Sequence, residues 1–172
     1  MSAMTMSRED AFSAAQALHQ QGQVAAALAG YRAVLTRDPA HLEALRYAGI
    51  AALQLNDWTA AETWLAKALR QAPDDVATLA NLGSLHARQM RVESAEQLLT
   101  RALAIDPRLA DARINLANLR AQQGDLAGAE ALLRDVLRQA PQSVEALTNL
   151  GRVLADQKRL GDAATCLQAA LA

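Results

Sequence analysis

Four evenly spaced prolines constrain this chain more than any other feature: Pro39, Pro73, Pro107 and Pro141 each stand 34 residues after the last, and the 172-residue sequence has no others. Such spacing points to a repeated unit. The residues ahead of each proline, Tyr31 to Asp38, Leu65 to Ala72, Leu99 to Asp106 and Leu133 to Ala140, read as helix. Proline has no amide hydrogen and its ring meets the carbonyl four residues back, so it cannot extend such a helix. Each proline therefore closes one unit and opens the next. A fixed period of about 20 to 50 residues is the mark of a stacked repeat array.

Laid back from the prolines, the period divides the chain into a lead-in at 1–7 and units at 8–41, 42–75, 76–109, 110–143 and 144–172, within one continuous domain. Hydrophobic residues make up 52% of the chain but aromatics only 3%. The apolar content is mostly Ala and Leu, strong helix formers, with few β-branched residues, so close-packed helices are expected rather than sheets. The formal net charge is −1, from 17 basic and 18 acidic residues. No global field draws such a chain to nucleic acid or an anionic membrane, and neither is expected as a partner. Cys166, the single cysteine, rules out an internal disulfide and a multi-cysteine zinc site. Residues 1–8 lack the basic cluster and apolar core of a secretory signal, and no run of about 18 apolar residues is present. A cytoplasmic protein is the resulting expectation.

The units agree position by position. Fifteen residues into each stand Gly22, Asn56, Met90, Gly124 and Lys158. Glycine and asparagine tolerate the left-handed conformation that ends a helix, which places a turn there. Met90 and Lys158 suit it less, predicting two looser turns. Asp57 and Asp125 follow at once and can cap the second helix, and Ser7 with Asp10 resembles a capping box for the first. The eighth residue is small (Ala15, Gly49, Gly83, Ala117, Gly151) and the twentieth is always alanine (Ala27, Ala61, Ala95, Ala129, Ala163). The twenty-fourth reads Tyr31, Leu65, Leu99, Leu133, Leu167, and the twenty-seventh Val34, Ala68, Ala102, Val136, Ala170. In this register nearly the whole chain resembles the tetratricopeptide-repeat family. It departs at the fourth residue, a bulky aromatic in the family and here Ala11, Leu45, Leu79, Arg113 and Leu147, with Arg113 weakening that contact in the fourth unit.

The resemblance implies an all-α fold, a right-handed α-solenoid or superhelix of antiparallel helix pairs, with a concave groove lined by the first helix of each pair. It further implies a protein or peptide partner. At the sixth, groove-facing position stand Ser13, Tyr47, Asn81, Asn115 and Asn149. The three asparagines are similar to the ladder in the tetratricopeptide superhelix of protein O-GlcNAc transferases, where it holds peptide backbone. Two readings stand: contact with a ligand, or bonding among neighbouring side chains. Asn118, Arg88 and Arg152 surround the ladder, while Phe12, Arg46, Tyr47, Ile50 and Leu53 make a more apolar patch toward the N-terminal end. Arg46, Tyr47 and Arg88 would select side chains. The lysine and asparagine pair by which some repeats clamp a chaperone's terminal carboxylate is absent from these units. The acids at the second position, Glu9, Glu43, Asp111 and Glu145, suit the positive end of a helix dipole.

No constellation for catalysis appears. His19, His41 and His86 have no metal-ligand spacing, and neither a phosphate loop, a dinucleotide fingerprint nor a nucleophile elbow occurs. Neither cofactor nor metal is expected, and Cys166 reads as a packing residue. The leading expectation is a non-catalytic interaction scaffold. One alternative is the N-terminal repeat region of a longer bacterial enzyme, of the glycosyltransferase or sulfotransferase type, that recruits substrate. Another is a homo-oligomer joined through the fifth unit, whose Leu160, Ala164, Leu167 and Leu171 would form an uncovered apolar docking end.

Overall fold

Helix boundaries in the computed structural model follow the prolines and the turn residues. The structure describes residues 8–171; Ser7, and with it the capping box, lies outside them. First helices are α1 (Arg8–Gln20), α3 (Leu42–Gln54), α5 (Val76–Arg88), α7 (Ala110–Gln122) and α9 (Val144–Asp156). Second helices are α2 (Val24–Arg37), α4 (Trp58–Gln71), α6 (Val92–Ile105), α8 (Leu126–Gln139) and α10 (Leu160–Leu171). No strand occurs among the described residues. The fold is an all-α solenoid of antiparallel helix pairs.

Second helices stop one residue earlier than the sequence runs suggest. Asp38, Ala72, Asp106 and Ala140 precede a proline, and each leaves the helical region, with φ between −138° and −123° and ψ between 80° and 94°. The proline ring crowds the residue before it out of the helical conformation. Beyond the proline, side chains restart the helix. His41 Nδ1 accepts from the Ala44 amide, Asp75 from the Thr78 amide at 2.8 Å, and Ser143 Oγ from the Ala146 amide.

Within each pair the turn is the same everywhere. Gly22, Asn56, Met90, Gly124 and Lys158 have φ of 77°, 59°, 60°, 86° and 65°. The next amide reaches back five residues, as from Gln23 to the Leu18 carbonyl and from Arg159 to the Leu154 carbonyl, both at 2.9 Å, forming a Schellman motif. The looser turns expected at Met90 and Lys158 are not found. The motif's hydrogen bonds hold even a side chain with Cβ in the left-handed region, at a cost of about 1 kcal/mol. Asp57 and Asp125 then cap α4 and α8, accepting from Ala60 and Gly128 amides at 3.1 and 2.9 Å.

Contacts gather the chain into two units, and the division falls inside α5: the first ends at Leu85 and the second begins at His86. In the first, α1 packs on α2, α2 on α3 and α3 on α4. Its core holds Tyr31, Val34, Leu35 and Leu45. A Cβ on Gly49 would lie 2.6 Å from Leu65 Cγ, so this glycine sets how closely α3 approaches α4. In the second, α6 packs on α7, and each of α7, α8 and α9 on its successor, with α7 also against α9. Ile114, Leu133, Val136, Leu150, Val153 and Leu154 form its core, with Cys166 packed beside them. Arg113 turns a guanidinium nitrogen back to the Pro107 carbonyl instead of filling an aromatic's place.

Candidate functional site

In the first unit, five rings assemble from three helices and the α2–α3 connection. Phe12 and His19 come from α1, Tyr31 from α2, His41 from the cap of α3 and Tyr47 from α3. The tyrosine rings stack nearly parallel, with centroids 5.7 Å apart and planes 28° from one another. Phe12 lies within 5.8 Å of both. His19 meets Tyr47 edge to face at 6.3 Å. Beside these rings opens a cleft of about 300 Å³ lined by Gln16, His19, Gln20, Tyr31, Tyr47 and Ile50.

Hydrogen bonds fix the imidazole in that wall. His19 Nε2 lies 2.9 Å from Gln54 Oε1 and Nδ1 lies 3.2 Å from the Tyr31 hydroxyl oxygen. An amide oxygen only accepts, so Nε2 carries the proton in the neutral ring and Nδ1 accepts from the Tyr31 hydroxyl. Tyr31 is fully buried. Burial, and secondarily the neighbouring Tyr47, pushes its pKa up to about 12. The phenol is thereby kept as a neutral donor.

The second unit presents different chemistry on its first helices. Arg152 Nη2, from α9, donates to Asn118 Oδ1 of α7 at 2.7 Å and, more weakly, to Asn149 Oδ1 at 3.4 Å. Other arginines here pair with carboxylates: Arg120 with Glu96, Arg134 with Glu130, Arg138 with Asp135, and Arg159 with Glu130 and Asp162. Among the described residues no carboxylate pairs with Arg152, so its charge is not neutralised locally. Both asparagine oxygens accept from the guanidinium, and each side chain carries an amide nitrogen as a further donor group. Partial burial favours the neutral acid at Glu130. Hydrogen bonds from Arg134, Gln157 and Arg159, with the charge of Arg159, outweigh that and hold its carboxyl below the usual range.

The remaining expected groove residues fall as follows. Asn81, half-buried on α5 in the first unit, donates to the Ala77 carbonyl of its own helix at 2.8 Å. Asn115, on α7, is half-buried and Arg88 exposed. Arg46 is engaged by Asp75 at 3.4 Å, and Tyr47 stands in the ring cluster. On α10, Leu160, Leu167 and Leu171 are 67%, 41% and 89% exposed, and Ala164 is also exposed. Sequence reasoning missed Gln16, His19, Gln20 and Tyr31 as lining residues. The first three occupy the ninth, twelfth and thirteenth positions of their unit, which the family resemblance assigns to the groove. Tyr31 gave no such signal, because its position is buried in the first four repeats. Among the described residues no cluster of His, Cys, Asp or Glu could hold a metal ion, and no described helix is long and apolar enough to cross a membrane.

Paired helices returning every 34 residues, with polar and aromatic side chains carried on the first of each pair, define a helical-repeat interaction protein. Two family models, both described as tetratricopeptide repeat, match residues 86–142 and 120–172, and residues 12–76. The chain belongs to the tetratricopeptide-repeat family, a family of protein-protein interaction scaffolds. No curated protein matches its sequence. Solved structures do resemble it. MamA from Desulfovibrio magneticus RS-1 superposes with a TM-score of 0.84 at 19% identity, covering 98% of this chain and 96% of that one. PilF of Pseudomonas aeruginosa gives 0.82 at 20% identity, covering 95% and 75%. YrrB, described as a TPR protein with an unusual peptide-binding site, gives 0.75 at 23% identity, covering 96% and 85%. At these identities the likeness establishes the fold.

Proposed function

We propose that this protein is a non-catalytic scaffold that holds an extended segment of a partner protein along its first helices, with the second unit supplying the backbone contacts. The observation that carries this reading is Arg152, held by Asn118 and Asn149. Its guanidinium, with no carboxylate partner among the described residues, and the asparagine amide nitrogens are N–H donors suited to the carbonyl oxygens of an extended peptide whatever its side chains. Within the same unit Asn115 and Arg88 also stand at groove-facing positions and would extend the contact; in the first unit Asn81, Arg46 and Tyr47 stand at such positions, the last beside the aromatic cleft. The peptide-binding description of YrrB is consistent with such a use of the fold.

Peptides selected from a random displayed library against the full chain provide the test. Their affinity should fall about tenfold or more in Asn118→Ala/Arg152→Ala, since truncating a charge-assisted contact costs about 1.5–3 kcal/mol. Unchanged affinity would remove this surface from the account. The exposed leucines of α10 favour a second reading, self-association through that helix face. Sedimentation at rising concentration should then show a dimer that Leu167→Glu/Leu171→Glu abolishes; a monomer throughout would dismiss it.

A further inference from the structure

We infer that the cleft of the first unit is a side-chain pocket for an aromatic residue of the bound segment; this rests on the peptide-scaffold reading and names the chemistry one end of the groove selects. The cleft is bordered by the rings of Tyr47, His19 and the buried Tyr31, by the aliphatic Ile50 and by the amides of Gln16 and Gln20. Both nitrogens of His19 are already engaged, by Tyr31 and Gln54, so the imidazole offers the cleft its ring and not a nitrogen.

Three kinds of occupant can be compared. A charged side chain would lose hydration without gaining a counter-charge, because no Lys, Arg, Asp or Glu lines the cleft and nearby Arg46 is engaged by Asp75. An aliphatic side chain would cover the two glutamine amides without bonding them, leaving polar groups desolvated. An aromatic ring with a polar edge meets both demands. Its face stacks against Tyr47 and its hydroxyl or N–H reaches the glutamines, with few rotatable bonds to immobilise. The volume, about 300 Å³, is at the lower end of ligand pockets and suits a single side chain. All five lining residues on first helices stand at groove-facing positions, so the pocket opens where an extended chain would run.

The test uses the free amides of single amino acids, which carry the side chain without a peptide's backbone ladder. N-acetyltyrosinamide titrated into the full chain should give saturable amide-resonance shifts that centre on Gln16, Gln20, Tyr47 and Ile50. N-acetylleucinamide and N-acetyllysinamide should bind at least about fivefold more weakly, and Ile50→Trp, which fills the cleft, should abolish the tyrosine response. No saturable shift, equal response to all three amides, or shifts centred elsewhere would overturn the proposal. The wild-type map decides even if Ile50→Trp proves unfolded. A null result with these amides leaves the Arg152 surface standing, and loss of peptide binding in Asn118→Ala/Arg152→Ala leaves the cleft standing, so the two readings fail separately.

Discussion

The two units share one backbone plan and differ in what they place on it. Phe12, Tyr31, Tyr47, Trp58 and Trp64 are all the Phe, Tyr and Trp residues of the chain, and every one precedes the division at Leu85. The second unit has none and carries more arginine–carboxylate pairs than the two described in the first, Arg32 with Asp57 and Arg46 with Asp75; in it Glu130 receives both Arg134 and Arg159 at 2.7 and 2.9 Å. At the twenty-fourth position the first unit buries Tyr31 where the second buries Leu133, both fully. The turn φ, the small eighth residue and the alanine at the twentieth are common to both, so these specify the hairpin. Side chains outside that set are free to vary, and they decide whether a surface is aromatic and neutral or polar and cationic.

The largest expected break in this comparison comes from Tyr31→Ala. Removing a fully buried ring that stacks on Tyr47 and bonds His19 should cost about 3–5 kcal/mol. Stability depends on neighbouring hairpins in a repeat array. Hydrogen exchange should therefore accelerate mainly across α1–α3, and uniform acceleration along the chain would show that the units are not separate in stability. Next is a matched pair of alanine substitutions. In Gly49→Ala the new Cβ meets Leu65, which is fully buried and cannot yield, at a cost of about 1–3 kcal/mol by denaturant unfolding. In Gly151→Ala the new Cβ meets Leu167 at 2.8 Å, 41% exposed and able to swing away, and the Ala163 carbonyl oxygen at 3.3 Å, so the loss should be smaller than in Gly49→Ala. Equal losses would contradict this account.

Replacing Lys158 or Met90 by glycine should have a smaller effect and the opposite sign. Relief of the left-handed strain, partly offset by the greater freedom of glycine in the unfolded chain, predicts a gain of about 0.5–1 kcal/mol in midpoint measurements. The pH dependence leaves stability near neutrality unchanged and acts only at the extremes, where its direction separates the units. The raised pKa of Tyr31 gives stability that is complete below pH 10 and lost as pH climbs through about 12. The lowered pKa of Glu130 gives stability present above the ordinary glutamate range and lost as pH falls through its folded value. Tyr31→Phe should flatten the alkaline limb and Glu130→Gln the acid limb of a stability profile; either substitution moving the wrong limb would refute its assignment.

Much of the hairpin was legible because local rules suffice for it. Prolines end helices by sterics, and a residue at the fifteenth position turns left-handed because the Schellman bonds require it, glycine or not. Sequence reasoning weighed the intrinsic preference of Met90 and Lys158 too heavily, and the hydrogen bonds prevailed. At the surfaces, position alone could mark Asn118 and Arg152 as groove-facing. It could not show that Arg152 bonds the oxygens of both asparagines, one of them on another helix. The cleft was harder still, since Tyr31, a core residue by register and fully buried, borders it only through the way His19 and Tyr47 pack against its ring.

The confinement of every large aromatic ring to one side of Leu85 gives the native protein a built-in optical label. Ultraviolet emission excited through the indoles originates from Trp58 and Trp64 on α4 alone, so its changes report events near that helix, while far-ultraviolet ellipticity reads all the described helices at once. Recording both through one melt distinguishes a chain whose halves come apart in sequence from one that dissolves in a single step, without attaching a dye.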